Sequence, residues 1–359
     1  MTLSVKTIYF VPPGPDGLGG KIFRPNPPLS PTAALGGSFL EFFSEKGVRI
    51  ETIDAWNPAF HNPDDAVVFI DHPDVGLFWR PFYFLKYARS KKKRFAVAKK
   101  EFSIICKKFS KRILLQKEPP TNSPYPYKHL AGLLKFYDAI FLFHKMEEAP
   151  RRVSYIMWPP EFREEFRDFF AVPKDKFLVM MNHNARPHAF FDKELYSERL
   201  RAIRVFSRSN DFDLYGGRWD KRPFFPFWHY YSSIQRCWRG YVNDDKIKTL
   251  ASYKFSIVFE NSKYPGYVSE KIFDSFLAGC IPVYLGAPDI TDYVPAGCFI
   301  DMRDFKSYEE LEKYLRSLSP DECSAYRKRI GQYLLSQKDN IFSKRKFAAT
   351  LWNSINSIV

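Results

Sequence analysis

A chain of 359 residues exceeds the size at which one hydrophobic core usually stops growing, and 45% hydrophobic with 18% aromatic content supplies material for two. The formal charge of +15 invites anionic partners. Five scattered cysteines offer no zinc spacing and fit a reducing compartment, and no apolar run reaches membrane-spanning length, the longest, 276–287, reading as a helix end plus a strand.

In chain order, Thr7 to Val11 is β-branched and aromatic and reads as a first strand, with no signal segment ahead of it. The stretch 12–20 (PPGPDGLGG) lacks a dinucleotide fingerprint, and its prolines oppose helix entry, so it reads as a loop at a domain cleft. Ser30-Pro31 has the form of an N-cap and first helical residue, which predicts a helix toward Lys46 stopped by Gly47. Val48 to Ile53 and Ala66 to Ile70 read as strands, Phe82 to Ser90 and Lys100 to Lys108 as helices, and this alternation argues for a parallel sheet covered on both faces. Between Lys86 and Lys117 the many lysines and arginines face a single acid, Glu101. No zinc-finger or RNA-binding motif accompanies them, so nucleic acid is not expected. The run reads as a solvated helical face, with contact to an anionic membrane surface as its other use.

Arg112 to Leu115 is the next strand, leading into 116–123 (QKEPPTNS). A carboxylate just past a strand end is well placed to act as a base, and Pro119 biases Glu118 away from helix. The competing reading is a loop carboxylate paired with a nearby lysine. Asp138 to Phe143 is a further strand, and 145–160, with Pro150, Pro159 and Pro160, reads as an irregular interdomain link. The second half starts with a strand at Lys176 to Met181. A helix from about Lys193 to Ser207 follows, with Tyr196, Leu200 and Ile203 on one face and Arg199 opening its polar side. Phe212 to Tyr215 is a strand closed by Gly216-Gly217, where missing side chains leave room for a nucleotide. The segment 218–240, with Trp219, Trp228 and Trp238, is either a satellite core or a platform for sugar rings; 244–251 is a short helix.

Tyr253 to Phe259 reads as a buried strand that stops at Glu260-Asn261-Ser262. After a turn at Pro265-Gly266, Ser269 stands as an N-cap. Ile272, Phe273, Phe276 and Leu277 repeat at helical spacing, Gly279 closes the helix, and Ile281 to Leu285 is a second buried strand. In an open α/β sheet ligands bind between such a strand end and helix start, where free N–H groups favour an anion. Asn261, Tyr267, Glu270 and Lys271 can reach one pocket mouth and would suit a sugar nucleotide; alternatively Glu270 and Lys271 are solvated charges and Tyr267 packs. Cys298 to Ile300 and Ser307 to Leu318 read as a short strand and a helix. The tail from Asp321 is helical, with Phe342, Phe347, Leu351 and Ile355 apolar and Lys344-Arg345-Lys346 beside them.

The runs FENS, GYVSEKIFD and IPVYLGAP resemble the signature of the α-1,3/4-fucosyltransferases, glycosyltransferase family 10, with the likeness clearest from about Lys176 to Phe305. The resemblance implies a GT-B fold of two Rossmann-like domains facing across a cleft, with the last helix crossing back to the first. Domains are expected at 1–155 (acceptor-binding), 156–340 (GDP-sugar-binding) and 341–359 (the returning helix); a membrane-surface helix is the alternative for the last. It also implies inverting transfer of L-fucose from GDP-fucose to O3 of a GlcNAc or Glc residue in an oligosaccharide, forming an α-1,3 or α-1,4 linkage. The family's proposed base lies in the matching strand-end loop, here Glu118, although Glu118-Pro119-Pro120 departs from the usual Glu, polar residue, Pro. An Arg near the helix binds the donor diphosphate, and SERLRAI matches at Arg199 better than at Arg201. Asn261, Tyr267, Glu270 and Lys271 complete the expected donor site, with no metal or other cofactor. Animal members are membrane-anchored, whereas this chain shows no anchor and is expected to be cytoplasmic, soluble or peripherally membrane-associated. A transferase for another GDP-sugar and a non-catalytic sugar- or nucleic-acid-binding protein are the alternatives.

Overall fold

Parallel strands are hydrogen-bonded at both edges and covered on both faces, which requires continuous apolar runs. Ala66–Ile70 (AVVFI) and Tyr253–Phe259 (YKFSIVF) meet that need: the first is buried throughout and the second exposes only Lys254. The computed structural model describes residues 5–13, 18–23, 35–72, 102–242 and 245–358. The expected helix at 82–90, most of the basic run and the start of the helix expected at Ser30 lie outside the described residues.

The first sheet has the order β2-β1-β3-β4-β5-β6. Its strands are β1 (Thr7–Val11), β2 (Arg49–Thr52), β3 (Ala66–Ile70), β4 (Lys111–Gln116), β5 (Ala139–Leu142) and β6 (Val153–Tyr155), each parallel to its neighbours. The second has the order β11-β10-β9-β7-β8, again all parallel. It contains β7 (Lys176–Met181), β8 (Phe212–Tyr215), β9 (Tyr253–Phe259), β10 (Ile281–Leu285) and β11 (Ile300–Asp301). Two separate all-parallel sheets, one in each half of the chain, agree with the two Rossmann-like domains that the resemblance implies.

Three local expectations need correction. Helix α1 spans Ser38–Glu45 and does not extend back through Gly36-Gly37, glycine being a poor helix former. The stretch 145–160 is not wholly irregular: β6 adds to the sheet edge through Ile140↔Val153 to Leu142↔Tyr155, and three residues are too few for a periodic signal. Around Cys298 the chain forms a single helical turn, Ala296–Cys298, and the strand is only Ile300–Asp301.

Each sheet carries apolar clusters on its two faces. The aromatic segment after β8 supplies Trp219, Phe227, Tyr230, Ile234 and Cys237 to the second of these cores. Two further helices of the second half frame its functional edge, α2 (Tyr196–Phe206) and α3 (Glu270–Leu277). At the C-terminus, α4 (Pro320–Gln337) packs with the second sheet and α5 (Lys344–Asn356) returns to the first. Phe347, Ala348, Leu351 and Ile355 all enter the first-sheet core, beside Phe39 and Phe43. Arg345 pairs with Glu45. The apolar face of α5 is therefore spent on the protein's own core rather than on a membrane surface. Among the described residues no helix is long and apolar enough to cross a membrane.

Candidate active site

The loop carrying Glu118 is fixed from below. Asp71, immediately after β3, accepts hydrogen bonds from the backbone amides of Lys117 (2.6 Å) and Glu118 (2.8 Å) and from Gln116 Nε2 (3.1 Å). The Glu118 carbonyl in turn accepts from Gln116 Nε2 (3.1 Å) and the Tyr127 hydroxyl (2.8 Å). Burial and, secondarily, the neighbouring Glu118 push the Asp71 carboxyl up to about 7 against the pull of the two amides. Asn122 Nδ2 donates to Glu118 Oε2 (2.8 Å), and among the described residues nothing donates to Oε1. One carboxylate oxygen is thus oriented and the other is open.

A continuous chain of contacts runs from this carboxylate into the second half. The Tyr196 hydroxyl, at the start of α2, donates to Asn122 Oδ1. The Tyr196 ring lies 4.8 Å from the Arg199 guanidinium. Arg199 does not open a polar face. It is 3% exposed and turns inward, because Nε (3.2 Å) and Nη2 (2.7 Å) both donate to the Phe259 carbonyl and Nη2 also reaches Asn261 Oδ1 (2.8 Å). No described group accepts from its Nη1. Arg201, the competing candidate, lies on the surface and pairs with Glu198.

Opposite stands the start of α3. Ser269 is its N-cap, and Glu260, directly after β9, is wholly buried. Glu260 accepts from the Ser269 amide (2.8 Å), the Ser269 hydroxyl (2.7 Å) and Lys271 Nζ (3.2 Å). Lys271 Nζ also donates to Ser269 Oγ (2.8 Å) and lies 3.8 Å from Glu270. Burial works against charge on Lys271, but Glu260 and Glu270 outweigh it and raise its pKa. Burial likewise opposes the Glu270 carboxylate, yet Lys271, Lys246 and Lys117 together hold it down at about 2. The buried Tyr267 phenol is pushed well above its usual range by burial, then by Glu260 and Glu118, so it stays a hydrogen-bond donor.

The six residues singled out from sequence therefore fall in one neighbourhood: Glu118 on one side, Arg199, Asn261, Tyr267, Glu270 and Lys271 on the other. Four residues that hold them there were not singled out: Glu260, Asp71, Asn122 and Tyr196. Glu260 stood within FENS and Asp71 closed the run AVVFID, so an acid at a strand end was the available signal in both cases. The space expected at Gly216-Gly217 is taken by the protein itself. At Gly216 (φ 130°) a Cβ would lie 1.9 Å from the Asn182 carbonyl oxygen, and at Gly217 one would meet Tyr241 and His183.

The halves touch directly beside the site. The His188 amide donates to the Thr121 carbonyl (2.7 Å), the Lys145 amide to the Pro265 carbonyl (2.7 Å), and Thr121 and Ser262 share a hydroxyl hydrogen bond. Between them a cavity of about 720 Å³ is lined by Glu118, Asn122 and Tyr196 on one wall and by Asn184, Arg186, His188, Arg218 and residues 221–224 on the other. Among the described residues no group of His, Cys, Asp and Glu is placed to hold a metal ion.

Residues 188–331 match glycosyltransferase family 10 (fucosyltransferase) C-term. A 4-galactosyl-N-acetylglucosaminide 3-alpha-L-fucosyltransferase 9 from Mus musculus is 31% identical over 219 residues, 58% of this chain and 50% of its own length. An alpha-(1,3)-fucosyltransferase FucT from Helicobacter pylori is 37% identical over 79 residues, 22% of this chain and 16% of that one. The chain thus spans about half the length, or less, of these curated relatives. A crystal structure of an alpha1,3-fucosyltransferase superposes with a TM-score of 0.54 at 16% identity, covering 99% of this chain and 92% of that one. At that identity the likeness speaks for the fold.

Proposed function

From the match of residues 188–331 to glycosyltransferase family 10 and the likeness of the fold to a solved alpha1,3-fucosyltransferase, we propose that the chain transfers L-fucose from GDP-fucose to a hydroxyl of an oligosaccharide acceptor, forming an α-1,3 linkage with inversion. Residues 1–155 would form the acceptor-binding domain, 156–340 the GDP-sugar-binding domain and 341–359 the returning helix. The observation that carries this reading is the placing, about one cleft, of an oriented carboxylate at Glu118 with the cations Arg199 on α2 and Lys271 in the first turn of α3.

The chemistry is a single in-line displacement. Glu118 Oε1 takes the proton of the acceptor hydroxyl as that oxygen attacks the anomeric carbon, and GDP leaves from the opposite face. Charge building on the diphosphate is met by Nη1 of Arg199, by Lys271 and by the amides at the start of α3, all held in place before the reaction. These groups supply the positive charge that a metal ion would otherwise bring, so no metal cofactor is proposed. Asn261 and Tyr267 hold the nucleotide, and Glu270, kept ionised by three lysines, accepts from hydroxyls of the ribose or the fucose.

The decisive experiment is GDP release from GDP-fucose with N-acetyllactosamine as acceptor, for the wild type and Glu118→Gln. The expected result is acceptor-dependent turnover that falls about 10²- to 10⁴-fold in the variant while GDP still binds. Loss of GDP binding by the wild type would overturn the reading, and turnover that survives the substitution would remove Glu118 as base.

A further inference from the structure

Positive charge in the donor region is largely matched by carboxylates: Lys271 faces Glu260 and Lys246 faces Asp274. The cavity beside Glu118 is different. Its second wall carries Arg186, Arg218, Lys221 and Arg222, all exposed and reaching into one open space of about 720 Å³. No described carboxylate lies within ion-pair distance of any of the four. Asn184 stands among them, its amide nitrogen donating to the Arg218 (3.0 Å) and Lys221 (2.8 Å) carbonyls and so pinning the backbone that presents these cations. The acid on the cavity wall is Glu118 itself; Asp220 is exposed on the same loop, outside the lining, and His188 and Tyr196 are the other titratable groups lining the space.

Unmatched cations crowded around one cavity repel one another, and an anion that enters removes that repulsion while gaining charge-assisted hydrogen bonds. None of Arg199, Asn261, Tyr267, Glu270 and Lys271 lines this cavity, whereas the base does. A ligand seated here is therefore on the acceptor side of the bond being made. Further along the same loop Phe225 (73% exposed) and Trp228 (54%) pack edge to face with centroids 5.5 Å apart, an apolar surface left open to solvent next to the cations.

We propose that Arg186, Arg218, Lys221 and Arg222 form an acceptor subsite for an anionic saccharide, binding a carboxylate, sulfate or phosphate carried by the glycan whose hydroxyl faces Glu118, with Phe225 and Trp228 against a neighbouring sugar ring. This rests on the transferase reading above and adds the substrate class to it. The guanidinium forks suit a flat carboxylate or a sulfate, and the exposed setting makes the interaction salt-sensitive.

The test is calorimetric binding, in saturating GDP, of N-acetyllactosamine and of the same disaccharide oxidised to a carboxylate at galactose C6. It compares the wild type with the triple variant Arg218→Gln, Lys221→Gln, Arg222→Gln, whose fold is checked by circular dichroism. The wild type should bind the acidic disaccharide about tenfold more tightly than the neutral one, the difference shrinking with added salt. In the variant the two affinities should converge while the Kd for GDP stays within about twofold. Equal affinities in the wild type would overturn the proposal. So would a variant that loses GDP affinity, since the cations would then serve the donor phosphates. Because no turnover is needed, a failed transferase assay would strike the parent reading alone.

Discussion

Removing the Lys271 ammonium should damage two separable properties, because it is both a proposed phosphate contact and the counter-charge of Glu260. In the double role the magnitudes can be set from geometry. Glu260 is 0% exposed and its Oε2 lies 3.2 Å from Lys271 Nζ. Breaking a buried pair by deleting one partner costs about 3–5 kcal/mol, chiefly because the surviving charge is stranded. Here the Ser269 amide and hydroxyl still donate to the carboxylate, so Lys271→Met should lose about 3 kcal/mol, the lower end of that range. Adding Glu260→Gln removes the stranded charge while its amide oxygen keeps the Ser269 amide bond, and should restore stability to within about 1 kcal/mol of the wild type. GDP affinity should fall in both variants and recover in neither. Urea unfolding followed by tryptophan fluorescence gives the first quantity and calorimetry with GDP the second. A loss below about 1 kcal/mol in the single variant, or a double variant no more stable than the single, would refute the reasoning.

Arg199→Lys should weaken GDP binding about tenfold, because an ammonium cannot hold the Phe259 carbonyl and Asn261 together and still face the ligand; unchanged calorimetric affinity would count against the assignment. Gly266→Ala should raise KM more than it lowers kcat, since the new Cβ would stand 2.9 Å from the Tyr155 ring and 3.0 Å from Lys145 Cγ, where the two halves meet; identical kinetics would show that the contact does not shape the cleft. Two carboxylates should move stability with pH in opposite directions. Glu270 is depressed to about 2, so its contribution is present above the ordinary glutamate range and is lost as pH falls from about 4.5 toward 2. Asp71 is raised to about 7, so its folded state binds a proton that the unfolded chain has released, and stability falls as pH rises from about 4 to 7. Glu270→Gln should flatten the first slope and Asp71→Asn the second in denaturation curves taken across pH.

Parallel strands were legible because burial on both faces forces apolar runs; β1, β3, β7, β9 and β10 stand where those runs stand, and the edge strand β8 (FDLY) where apolar and polar residues alternate ahead of Gly216-Gly217. What escaped was short or set by partners distant in sequence. β6 holds three residues at a sheet edge, and nothing in VSY distinguishes it from the loop around it. Arg199 looked like the start of a polar helix face because helical spacing cannot show that a carbonyl 60 residues away, at the end of β9, offers its guanidinium two hydrogen bonds. For the same reason Asp71 was invisible as a support for Glu118, its contacts lying 46 and 47 residues along the chain. Charged residues that bind backbone or one another across the fold carry no periodic trace, whereas the βα turn around Ser269 does, since cap, first-turn charges and apolar spacing are all local.

The linkage of Glu118 to Arg199 bears on how the two halves would act together. Glu118 is held by Asn122, Asn122 by Tyr196, and Tyr196 stacks on the arginine that anchors Asn261. Three of these links are hydrogen bonds of fixed direction, so a shift of α2 relative to the first sheet changes the orientation of the carboxylate as well as the reach of the guanidinium. Charge compensation on the donor side restricts the lysines in a similar way: Glu260 and Asp274 keep Lys271 and Lys246 from swinging into water, at the cost of part of their field. In the proposed transfer such an arrangement would favour rate over affinity. A cation already oriented gains most when negative charge grows on the leaving phosphate, and gains less from a ground-state ligand that must compete with a carboxylate for it.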